Sequence, residues 1–146
     1  MNIDMFVAIR PRKGMAELIV LFILLTPTLC QKQLPPDAVK AWDSIAMIYN
    51  DICIQETNID PRVPEIMFKE LPMPEEKEFH CYLKCSQERL GFMSPSGEFN
   101  IAVILDQVHF MTEELVTRCA EVSYQELELC KRSYALFKCL VLGVAE

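Results

Sequence analysis

Apolar residues recur every three or four positions through most of this chain, the period that gathers them on one face of an α-helix. Val39, Trp42, Ala46, Tyr49 and Cys53 form the first such stripe, widened by Ile45 and Ile52, with Lys40, Asp43, Asn50 and Asp51 on the other face. A short leader, Gln31 to Pro36, precedes it, and Asp37 is placed to cap the helix. A weaker helical segment runs from Asp60-Pro61 to about Glu70. Leu71-Pro72-Met73-Pro74 then forbids continuation, because proline lacks the backbone donor and disfavours helical geometry in the residue before it. The next helix spans Pro74 to Gly91, with Glu75, Glu76 and Glu78 near the positive end of its dipole and a glycine at its stop. Phe92-Met93 leads into the turn Ser94-Pro95-Ser96-Gly97.

Ile101 to Met111 is the most apolar stretch beyond the N-terminal segment. Ile101, Ile104, Leu105 and Val108 make its helical face, and Ala102 and Val103 leave little polar surface, so this helix is expected to be covered on most sides. Thr112-Glu113-Glu114 caps a helix carrying Leu115, Val116 and Cys119. The last helix, from about Tyr124 to Leu142, has the stripe Leu127, Cys130, Tyr134, Phe137 and Val141. No alternating run suggests a sheet, and no internal repeat interrupts the series. The pattern predicts an all-α domain.

The N-terminal segment follows a different logic. Arg10, Arg12 and Lys13 precede an apolar run from Ala16 to Leu25, broken only by Glu17, and Thr26 to Cys30 are mostly small. That order is expected of a secretory signal peptide over residues 1–30, cleaved after Cys30, with Met15 as an alternative start. The apolar run is shorter than the roughly 20 residues needed to span a bilayer. The expected mature domain is residues 31–146. Of 14 basic and 21 acidic side chains, three and two lie in the removed segment, leaving a net charge of −8. An acidic surface without a basic stripe argues against nucleic acid and stable membrane insertion as partners.

With Cys30 set aside, Cys53, Cys81, Cys85, Cys119, Cys130 and Cys139 remain, an even set that reads as three disulfides in an exported domain. No metal site is expected, since only His80 and His109 are present and no CxxC pair occurs. Cys81 and Cys85 stack on one face of their helix, so each is expected to reach outward to a different partner. Cys130 and Cys139 stand roughly 13 Å apart along theirs, beyond bridging distance. Excluding these two pairs leaves about ten of the fifteen possible arrangements.

The gaps between these cysteines are 27, 3, 33, 10 and 8 residues. This order, with Gly97 and the Lys138-Cys139 ending, resembles the six-cysteine signature of classical insect odorant-binding proteins, the pheromone and general odorant-binding family. The resemblance implies a compact six-helix domain cross-linked by three interlocked disulfides around an apolar cavity. It implies the pairs Cys53 with Cys85, Cys81 with Cys130, and Cys119 with Cys139. It also implies a secreted, non-enzymatic carrier without a cofactor, working in sensillum lymph if olfactory, with a small hydrophobic odorant or pheromone as partner. An odorant receptor or a second copy of the chain are further partners under that reading.

Candidate cavity residues follow from the apolar stripes. They are Trp42, Ile45 and Tyr49 on the first helix, Ile101, Ile104, Val108 and Met111 on the fourth, Leu115 on the fifth, and Tyr134, Phe137 and Leu140 on the sixth. Tyr49 and Tyr134 are the expected polar handles, and Met93 and Met111 adaptable lining. A guest of roughly ten to sixteen carbons at micromolar affinity is expected. Release on acidification would rest on His80 and His109. The alternatives are a non-olfactory secreted carrier and a helical, cytokine-like protein-binding factor. A phospholipase-like enzyme would need a histidine-aspartate pair and a glycine-rich calcium loop, and glycines are scarce.

Overall fold

The computed structural model describes residues 34–69 and 72–145, all within one unit that spans Lys32–Glu146. The segment read as a signal peptide lies outside the described residues. The first apolar stripe folds as α1 (Pro36–Ala46), a 3₁₀ turn (Met47–Tyr49) and α2 (Asn50–Thr57). There follow α3 (Arg62–Ile66), α4 (Lys77–Arg89), α5 (Ile101–Gln107), α6 (Glu113–Ser123) and α7 (Leu129–Val144). Counting α1 to α2 as one interrupted helix makes six helical bodies among the described residues. Met93 and Phe99 form an isolated antiparallel bridge, and no strand occurs there.

The ends of these helices are set by local chemistry. α2 stops at Asn58, which takes the left-handed conformation at φ 55°. α4 stops before Gly91, whose φ of 77° few other residues adopt. The side chains of Asn100 and Thr112 accept backbone N–H bonds at the starts of α5 and α6. Asp37 does not cap α1: Pro35 holds that position, and Asp37 lies in the first turn.

Three element bounds depart from the periodic pattern. α3 covers only five residues of the expected 60–70 segment, which contains Pro64. α5 ends at Gln107 because Val108 leaves helical geometry, at φ −115° and ψ 70°, and a turn follows in which the Met111 N–H bonds to the Val108 carbonyl. α7 begins at Leu129, since the Glu128 carboxylate accepts the N–H groups of Cys130 and Lys131. The 124–128 segment is held separately: the Tyr124 hydroxyl accepts the Phe99 N–H, and the Arg132 guanidinium donates to the Glu126 carbonyl. Leu127, counted in the stripe, is therefore 88% exposed.

α4 is the hub. Cys85 joins Cys53 on α2, Cys81 joins Cys130 on α7, and Cys119 on α6 joins Cys139, also on α7. These are the three pairs that the family resemblance implies. Cys81 lies within the Cys53–Cys85 loop and Cys130 within the Cys119–Cys139 loop, so the closed loops interlock. Each bridge contributes about 2–4 kcal/mol by the usual chain-entropy account. The most extensive helix contacts, α4 with α7, α6 with α7 and α2 with α4, are the three that carry disulfides. Among the described residues, no helix is long and apolar enough to cross a membrane.

Candidate ligand-binding site

An apolar hollow of about 70 Å³ lies between α1, α3, α4, α5 and α7. α1 contributes Trp42, Ile45 and Ala46, and α3 with its following turn contributes Met67 and Phe68. α4 presents Tyr82, Leu83, Ser86 and Gln87, a face offset from its two cysteines, with Leu90 and Phe92 just beyond. Ile104, Val108 and Met111 come from α5 and its turn, and Leu136, Phe137 and Leu140 from α7. The turn after α5 matters here, because leaving the helix at Val108 lets both Val108 and Met111 bury.

Three wall rings make one aromatic cluster. Trp42 stacks on Phe68 at 5.2 Å between centroids, Phe68 meets Phe137 at 5.5 Å, and Trp42 lies 6.2 Å from Phe137. Phe110, exposed in the turn after α5, meets Trp42 edge-on at 5.5 Å. Polar groups on the wall are few. The Tyr82 hydroxyl donates to Asn50 Oδ1 at 2.9 Å, and burial pushes its pKa up to about 12, so it stays protonated. Gln87 donates from Nε2 to the Ser133 carbonyl at 3.0 Å, and its Oε1 has no hydrogen-bond partner among the described residues.

Seven of the eleven residues proposed from the stripes stand on this wall: Trp42, Ile45, Ile104, Val108, Met111, Phe137 and Leu140. Four stand elsewhere. Tyr49 lies in the 3₁₀ turn. Leu115 packs on the backbone of α7 at Gly143, where a Cβ would meet its Cδ1 at 2.5 Å, so it belongs to the α6–α7 seam. Ile101 faces an outer groove with Met93, Phe99 and Asn100, which also removes Met93 from the hollow. Tyr134 turns toward the start of α4 and stacks on His80 at 4.0 Å.

The α4 wall went unread because its cysteines drew attention to another face. Its signal was present: Tyr82, Leu83 and Leu90 stand at helical spacing. Met67 and Phe68 had weaker warning, since the segment that carries them is interrupted by proline.

The cluster around His80 is separate from the hollow. His80 is buried, and its Nε2 and the Tyr134 hydroxyl lack hydrogen-bond partners among the described residues. Burial holds the His80 pKa below the ordinary imidazole range, against the opposing pull of Glu75, Glu128 and Glu76. Nearby, Lys138 bonds Glu75 at 2.7 Å and holds that carboxyl low.

Helices tied by three disulfides around an apolar hollow define a compact all-α domain whose inner wall displays hydrocarbon and rings. A model of the PBP/GOBP family matches residues 38–141, and the chain belongs to that family. Its members are small carriers of the odorant- and pheromone-binding kind, not enzymes. Neither curated proteins nor solved structures yielded a match.

Proposed function

We infer that this protein binds one small apolar molecule reversibly in the hollow and carries it through aqueous fluid. The observation that supports this reading best is the wall itself, where Trp42, Phe68, Phe137, Met67 and Met111 face one another and polar groups are nearly absent. Affinity in such a site comes from taking ligand surface out of water, at about 25 cal/mol per Å² before ordering costs. The covalent frame suits the task, because cross-linked helices depend less on a filled interior. Family membership favours an odorant or pheromone as the guest. Secretion, sensillum lymph and hand-over to a receptor belong to the same proposal, supported by the signal-like N-terminus and by disulfides that persist in oxidising compartments.

The contacts proposed for the guest are Trp42, Ile45, Ile104, Val108, Met111, Phe137 and Leu140, joined by the α4 wall. Native mass spectrometry and displacement of N-phenyl-1-naphthylamine by a panel of apolar volatiles test the reading, with the disulfides intact. The expected result is one-to-one binding at micromolar concentration, roughly −8 kcal/mol. A protein that binds neither the probe nor any panel member overturns it.

A further inference from the structure

An apolar space of ~150 Å³ holds a single benzene ring, and this hollow is about 70 Å³. On the carrier reading just given, one wall therefore has to yield before a guest fits. The disulfides identify which walls are fixed. They join α2, α4, α6 and α7 into one covalent frame, whereas α1, α3 and α5 carry no cysteine. α5 is tied to the frame in another way, by the Gln107 amide donating to the Leu90 carbonyl at 3.1 Å. α3 is a short helix of five residues.

α1 differs from both. It meets the frame through the 3₁₀ turn Met47–Tyr49, and Tyr49, at φ −114° and ψ 15°, leaves helical geometry just before α2 begins. A 3₁₀ stretch within a helical run often marks a hinge. Among the described residues, no side-chain hydrogen bond or ion pair joins α1 to another element, and the Ser44 hydroxyl bonds back to the Ala41 carbonyl. Apolar contact holds it, above all Trp42 seated among Phe68, Phe110 and Phe137. Such contact is non-directional, so it breaks and re-forms without stranding a buried donor. Cys53 anchors α2 on the far side of the turn.

We propose that α1 is a hinged wall of the hollow, which swings about Met47–Tyr49, lifts Trp42 from its aromatic seat and admits the guest between α1 and the α4–α7 frame. Opening is a sub-global event of the kind that native-state hydrogen exchange resolves. In the intact, disulfide-bonded chain, the amides of Ala41 to Ala46 are expected to share one opening step, with protection at least about tenfold below that of α4 and α7. Asn50 to Thr57, beyond the hinge, keeps the protection of the frame.

Ile48→Gly supplies the kinetic test. Ile48 is 60% exposed and off the hollow wall, and glycine loosens the turn. Exchange in α1 should rise about two- to fivefold, as should both the association and dissociation rates of N-phenyl-1-naphthylamine, while Kd and exchange in α4 and α7 stay put. Trp42→Phe, which shrinks the anchor, moves α1 exchange in the same direction. Protection in α1 equal to that of α4, or graded from Ala38 to Ala46 as in simple fraying, overturns the hinge. So do unchanged probe rates in Ile48→Gly. A wild-type protein that binds no probe defeats the carrier reading, whereas the exchange pattern judges the hinge by itself.

Discussion

Tyr82 on α4 donates its phenolic hydrogen to Oδ1 of Asn50, the first residue of α2, across 2.9 Å of buried interior. The ring of Tyr82 lines the hollow while its hydroxyl secures the helix just past the 3₁₀ turn. One side chain thus serves both the wall and the fixed side of the proposed hinge. Tyr82→Phe leaves a buried amide oxygen without its donor, a loss of about 1–3 kcal/mol. Urea unfolding with disulfides intact measures it. Because burial pushes this phenol up to about 12, absorbance titration of the native protein should show a tyrosine that resists ionisation until high pH.

The size of the hollow yields a prediction of opposite signs. Leu136 is 1% exposed and lies on the wall, so Leu136→Ala should cost about 2–5 kcal/mol of stability. The same change enlarges the space available to a guest. Affinity for an apolar probe should therefore rise several-fold, about 1 kcal/mol, while the urea midpoint falls. A fall in both would mean that volume does not limit binding.

Gln87 stands on the wall, and its buried amide oxygen has no hydrogen-bond partner among the described residues. A guest with a hydroxyl near this residue gains a hydrogen bond worth about 0.5–1.5 kcal/mol. Gln87→Met keeps length and volume but removes the acceptor. Matched alcohol and hydrocarbon ligands, compared by displacement, should lose up to about tenfold of their difference in this variant.

Acid should weaken the fold in two stages. The His80 pKa is lowered by burial, so the unfolded chain takes up a proton first as pH falls below about 6.5, and stability declines until the folded form also protonates. Further down, the carboxyls of Glu75 and Glu128 protonate. Lys138 holds the first low. For the second, burial pulls upward, yet the N–H groups of Cys130 and Lys131 prevail. Stability present above the ordinary glutamate range is lost as pH falls through their lowered values. His80→Phe preserves the stack on Tyr134 and should abolish only the first stage in pH-dependent urea melts. His80 stands off the hollow, so the expected readout is unfolding rather than ligand release.

The helices were legible to the extent that their signals are local. Val39 to Cys53 repeats at helical period, Thr112 caps α6, and Gly91 ends α4, because each depends on residues a few positions apart. The interruption at Met47–Tyr49 escaped the same reading, since the apolar stripe runs through it without a break. The start of α7 was misread for a related reason. Leu127 fits the stripe, but the bond from Phe99 to Tyr124 holds its segment outside the helix, and those residues are distant in the chain.

Periodicity and cysteine spacing are one-dimensional properties, so an all-helical chain with six paired cysteines and several apolar faces follows from the order of residues alone. Which face lines a hollow does not. Leu115 and Phe137 read alike as helical apolar positions, yet one is taken up by Gly143 in a helix seam and the other meets Trp42 and Phe68. That division depends on how each helix is rotated about its axis when the disulfides and large rings settle against one another. Only tertiary packing sets that rotation, and with it the small space that a guest must widen.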